Sequence, residues 1–156
     1  MPETWNESAE SSITAVFSVI LRRSDPSTKL LRRYLDDFIS SLYDRPSGKE
    51  RACAHFSEIG AEAIEVARLR GIPLTLEHCL DVLIRKQKDY GPENIRRFGR
   101  QGLMVRLHDK IARLENLDAS GRTPENESVQ DTLLDITNYC AIGIMWERGE
   151  FLLPLK

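Results

Sequence analysis

Glu127-Ser-Val-Gln-Asp131-Thr-Leu-Leu-Asp135-Ile-Thr-Asn-Tyr139-Cys-Ala-Ile142-Gly-Ile-Met-Trp146 has helical, not alternating, periodicity. Glu127, Asp131 and Asp135 stand at i, i+4 and i+8 on one face, which runs on into Tyr139, Ile142 and Trp146. Neighbours in such a row lie roughly 5 to 6 Å apart at Cβ, and like charges there repel unless a cation, a proton or a basic partner answers them. Asp135 makes the strongest demand. Leu133, Leu134, Ile136, Tyr139 and Ile142 surround it, and an unpaired ionised group in that setting is strongly disfavoured.

The same periodicity recurs along the chain. Gly and Pro cluster at Asp25-Pro26-Ser27, Arg45-Pro46-Ser47-Gly48, Gly71-Ile72-Pro73, Gly91-Pro92 and from Gly121 to Pro124. The segments between them predict an all-α, compact helical bundle of about five to six helices. Helices are expected over 13–23, 28–43, 49–70, from a Thr75 cap to Lys88, over 103–117, and from near Asn126 to Arg148. Ser27 is the expected cap of the second helix, with Leu31, Leu35, Phe38, Ile39 and Leu42 as its apolar stripe. Leu103, Leu107, Ile111 and Leu114 point the fifth inward, and Ser128 with Asp131 has capping-box spacing at the start of the last. Asp89 to Gly102 reads as a long connection, and loops of that length in compact domains tend to be functional or disordered. Residues 1–48 read as an N-terminal helical extension and 49–156 as the core of one globular domain.

The composition narrows the function. At 156 residues, 41% hydrophobic and 29% charged, the chain supports one ordinary core. A net charge of −2 and a pI near 6.0 give no general nucleic-acid-binding signature, so any phosphate recognition must be local. Cys53, Cys79 and Cys140 have no CxxC spacing, which argues against a disulfide framework or zinc ribbon and fits the reducing cytoplasm. No apolar run approaches the ~20 residues needed to span a bilayer. The start Met1-Pro-Glu-Thr-Trp-Asn-Glu lacks the pattern of a signal peptide, so a cytoplasmic protein without a membrane partner is expected.

Two readings answer the acidic row. A Lys or Arg from a neighbouring helix would satisfy Asp135, while Glu127, in the first turn, would complement the helix dipole. A metal would satisfy the row as well, and a carboxylate-only set favours Mg²⁺ or Mn²⁺ over zinc. Glu58, Glu62 and Glu65 form a second acidic row at i, i+4 and i+7 on the third helix. On the fifth, Arg106, Asp109, Lys110 and Arg113 share a polar face. That face is either laced by the pairs Arg106–Asp109 and Asp109–Arg113, or a clamp of three cations for a polyphosphate with Asp109 joining the metal. Lys86 and Lys88 complement the C-terminus of the fourth helix, Tyr90 offers a stacking face, Asn94 an amide able to read a base edge, and Phe98 an anchor onto the core. The chain has no Ser-His-Asp order, no P-loop and no glycine-rich dinucleotide fingerprint.

Taken together, Lys88-Asp-Tyr-Gly91, Phe98-Gly99, Gly102-Leu-Met-Val-Arg106-Leu-His-Asp-Lys110-Ile-Ala-Arg113-Leu-Glu-Asn116-Leu and Glu127 to Tyr139 resemble the phage-associated nucleotide modification associated domain 1 family. The likeness covers about residues 75–153 and implies a role in phage nucleotide metabolism or modified-DNA synthesis. A fainter likeness is to the all-α nucleoside triphosphate pyrophosphohydrolases, the MazG and dimeric dUTPase group, which bind Mg²⁺ through ExxE and ExxD pairs. Glu62-Ala-Ile-Glu65 has the first spacing, and Asp131 to Asp135 resembles the second except at Thr132, where that pattern places Glu.

These likenesses imply a Mg²⁺- (or Mn²⁺-) dependent hydrolysis of a (deoxy)nucleoside triphosphate to monophosphate and pyrophosphate. Asp109, Lys110, Asp131 and Asp135 are the expected catalytic residues, and Asp131, Asp135, Glu62, Glu65 and Glu127 the expected metal ligands. Lys88, Tyr90, Asn94, Arg106, Arg113 and Asn138 are expected to hold the nucleotide. The alternative is a non-catalytic nucleotide-binding module, a regulator or a sponge for a nucleotide signal, in which the acids serve as salt-bridge partners. A homo-oligomer suits either.

Overall fold

The computed structural model describes residues 1–19, 25–44 and 48–156. Its elements are all helical: α1 (Trp5–Phe17), α2 (Thr28–Asp44), α3 (Lys49–Leu69), α4 (Leu76–Tyr90), α5 (Glu93–Arg96), α6 (Gly99–Ser120) and α7 (Val129–Glu147). The all-α expectation holds, with α5 as the extra helix. The first helix sits earlier than the periodicity placed it, because the Thr4 hydroxyl caps α1 by accepting from the Glu7 N–H at 3.2 Å. Positions 20–23 of the expected first helix lie outside the described residues, as do 45–47.

α3 and α7 form the centre and run antiparallel, with Gly60 against Cys140 and Gly143 against Phe56. A Cβ on Gly143 would stand 2.6 Å from the Phe56 ring, so only glycine lets the two helices approach this closely. α1 packs on α3, α4 and α7, and α2 on α3 and α6. Trp5, Ile13, Leu31, Leu35 and Phe38 therefore share one buried cluster with Phe56, Leu107, Ile111, Ile136 and Ile144. Among the described residues, no helix is long and apolar enough to cross a membrane.

The caps follow the sequence closely. The Ser27 hydroxyl accepts from the Leu30 N–H, that of Thr75 from the His78 N–H, and that of Ser128 from the Asp131 N–H. The connection from Asp89 to Gly102 is the main departure, since most of it is helical. Gly91, at φ +64°, ends α4; the ring-fixed φ of Pro92 suits the start of α5, and buried Ile95 pins that turn to the core. Phe98 is 68% exposed and does not anchor the loop. The tight α4–α5 corner instead brings Tyr90 and Asn94 to the face of α7 that carries Asn138 and Tyr139.

Candidate nucleotide site

Asp135 lies on the first half of α7, where α4 and α6 flank it, and is 9% exposed. One carboxylate oxygen accepts from Lys86 Nζ of α4 and the other meets Lys110 Nζ of α6, each at 2.9 Å. Lys110 also donates to both oxygens of Glu127 at 2.9 Å, so it bridges two acids of the row. Burial on its own would raise the Asp135 pKa, but hydrogen bonds from Lys110 and Lys86 outweigh it and hold the carboxyl below its ordinary range. Burial likewise works to lower both lysines, and their bonds to Asp135, with Glu127 for Lys110, hold them above theirs. All three groups stay charged at neutral pH.

Two depressions meet at this cluster. A cleft of about 200 Å³ is walled by Leu83, Ile95 and Ile142, with Tyr90, Asn94, Asn138 and Tyr139 supplying ring and amide groups and Lys86, Arg106 and Asp135 the charges. The Arg106 guanidinium lies 5.8 Å from the centre of the Tyr139 ring and, among the described residues, makes no ion pair. On the other side is an open groove bordered by Arg85, Lys86, Lys110, Glu127, Asp131 and Asp135. The cleft is apolar and aromatic with a few polar atoms. The groove is lined mainly by charged side chains, with Val82 and Leu134 among them.

The expected nucleotide-binding residues Tyr90, Asn94, Arg106 and Asn138 thus share one cleft, whereas exposed Lys88 borders neither depression. Arg113 is turned to the Thr132 hydroxyl at 2.6 Å and to the backbone carbonyl of Glu127. Thr132, where the pyrophosphohydrolase pattern would place Glu, is fully buried and serves as a neutral partner for that arginine. Asp109 is exposed and takes no part in the cluster, and neither of the ion pairs foreseen for it forms. Arg106 lies instead by the Tyr139 ring, and Arg113 bonds to Thr132 and the Glu127 carbonyl.

The expected metal ligands do not assemble. Glu62 is 1% exposed and accepts the Ser27 N–H at the start of α2, at 2.9 Å. Glu65 pairs with Arg68 one turn along α3. Asp131 and Glu127 do border the groove with Asp135, but Lys110 stands on Glu127 and Asp135 where a cation would sit. Among the described residues no group of three His, Cys, Asp or Glu side chains could hold a metal ion. The residues present do not fit a Mg²⁺ centre, because ammonium groups already supply the positive charge the acids require.

Sequence reasoning passed over Lys86 as a site residue and treated it as ordinary dipole complementation. The signal that finds it is spacing: Leu83, Lys86 and Tyr90 stand at i, i+3 and i+7, one face of α4, and all three border the cleft.

Residues 86–146 match the model of the nucleotide modification associated domain 1 family, the family the motifs resemble. No curated protein and no solved structure matches the chain. The matched segment starts at Lys86 and takes in Tyr90, Asn94, Arg106, Lys110, Asp135 and Asn138, while Glu62 and Glu65 fall outside it.

Proposed function

We propose that the domain is a nucleotide-binding module that holds the base in the cleft between α4, α5 and α7 and the phosphate at Lys86 and Arg106. The single observation that carries this reading is that Asp135 is neutralised by Lys86 and Lys110 beside a cleft of ring and amide groups. Arg106 supplies a guanidinium with no carboxylate of its own, suited to an incoming phosphate oxygen. The cleft, at about 200 Å³, is smaller than the usual ligand pocket of roughly 300 Å³ or more, so it takes one base and leaves the phosphates outside. The family's link to nucleotide modification supports the ligand class. Calorimetric titration with a panel of (deoxy)nucleotides tests it: binding with the same affinity in Mg²⁺ and in EDTA, without release of phosphate or pyrophosphate, is the expected result.

One observation favours the second reading, Mg²⁺-dependent hydrolysis of a nucleoside triphosphate. Asp131 and Asp135 of α7, and Glu127 just before its Ser128 cap, border the same groove. That reading needs Lys110 to give way to the ion. Release of pyrophosphate that depends on Mg²⁺ or Mn²⁺ would establish it over the first.

A further inference from the structure

Among the described residues, two buried side-chain oxygens of residues that border the cleft have no hydrogen-bond partner. Asn138 is 5% exposed; its amide nitrogen donates to the Cys79 backbone carbonyl at 3.1 Å, which fixes the orientation of the amide, and its Oδ1 is buried without a donor. Asn94 on α5 likewise has a buried Oδ1 with no partner. Both residues border the same cleft of about 200 Å³. Buried amide oxygens are nearly always satisfied, and two exceptions from different helices in one cleft mark acceptors kept for a ligand's donors.

From this pair we infer the base class: the cleft selects a base that carries an exocyclic amino group, adenine, cytosine or guanine, over thymine or uracil. The inference rests on the nucleotide-binding reading above. An amino group offers two N–H donors that the two carbonyl oxygens can divide between them, and guanine adds its ring N–H beside them. Thymine and uracil present a single ring N–H flanked by two carbonyl oxygens. That one N–H can serve only one of Asn94 Oδ1 and Asn138 Oδ1, and the base's carbonyl oxygens can serve neither, so an amide is left unsatisfied. Tyr90 and Tyr139 are indifferent to this choice, since every base has a face that stacks on an aromatic ring. Discrimination therefore falls to the two amides. The amino-bearing base can belong to a free nucleotide or to one splayed out of a strand, and both present the same edge.

The test is calorimetric titration of the full chain, in EDTA, with dAMP, dCMP, dGMP and dTMP, and with purine deoxyriboside monophosphate, which is dAMP without its amino group. At least one amino-bearing nucleotide should bind roughly ten- to a hundred-fold tighter than dTMP, and loss of the amino group from dAMP should cost a similar factor where dAMP is the ligand. Asn94→Ala, on a partly exposed turn, should bring the preferred nucleotide to within a few-fold of dTMP. Oligo(dA), oligo(dC) and oligo(dT) form the second arm, in which binding of an amino-bearing strand where mononucleotides fail assigns the base to a strand. Equal affinity for all four nucleotides, or for all strands, overturns the base preference and leaves nucleotide binding standing. No binding of any nucleotide or strand overturns both.

Discussion

α7 buries two carboxylates twelve residues apart, Asp135 and Glu147, and they are answered in different ways. Glu147 is 6% exposed and takes a two-pronged bond from Arg100 of α6 alone, one prong at 2.7 Å. A carboxylate and a guanidinium match one to one in shape and charge, so each satisfies the other. Asp135 draws two lysines from two helices, one of them half-exposed, beside two unpartnered amide oxygens and an arginine without a carboxylate. Burial of an acid is common to both places. Among the described residues, unpartnered amide oxygens border the cleft beside Asp135 and not the depression beside Glu147.

The contrast predicts that variants at the two carboxylates fail differently. Arg100→Leu leaves Glu147 buried without its partner, so urea unfolding should show a loss of about 3 kcal/mol, while nucleotide affinity at a temperature where the variant is folded stays unchanged. Gly143→Ala sets a methyl 2.6 Å from the Phe56 ring and should cost about 1 to 3 kcal/mol by the same assay, again without touching the cleft. A large effect of either on affinity at constant fold would break the division between support and site.

At the other carboxylate the pattern reverses. Lys86→Ala and Arg106→Ala should each weaken nucleotide binding by about tenfold and flatten its salt dependence, with less than about 1 kcal/mol lost in stability because these side chains are partly exposed. The smallest effect concerns pH. Asp135 lies below its ordinary pKa, so its contribution to stability is complete above about pH 4 and falls away as acid protonates it. Lys86 and Lys110 lie above theirs, so their share is complete below about pH 10 and is lost as pH rises through the raised values. Asp135→Asn should remove the cluster's part of the acid limb.

Much of the bundle was legible from residue order. Ser27, Thr75 and Ser128 announce their helices by local chemistry, and the stripe Leu103, Leu107, Ile111 and Leu114 fixes which face of α6 turns inward. The α5 turn was not, because four residues between Pro92 and Arg97 carry little periodicity and owe their helix to the docking of Ile95. In the site, the spacing identified Asp135 as needing a counter-charge, and four of the residues expected to hold a nucleotide, Tyr90, Asn94, Arg106 and Asn138, border one cleft. It did not reveal what supplies that charge. Helical spacing shows which residues share a face, but not which neighbouring helix meets it. Lys86 and Lys110 therefore emerge as the partners only once α4 and α6 are seen against α7, and Glu62 is committed to the start of α2 for the same reason.

Whether that cluster is a cation site made of protein or a place for a metal is decided most directly by titrating a nucleotide into Asp135→Asn in EDTA and again in Mg²⁺. Binding retained within about tenfold of the parent chain and indifferent to Mg²⁺ is the expected result, since Lys86 and Arg106 still face the cleft. Affinity in the parent that rises steeply with Mg²⁺, and vanishes in Asp135→Asn under either condition, would contradict it and return Asp135 to the role of a metal ligand.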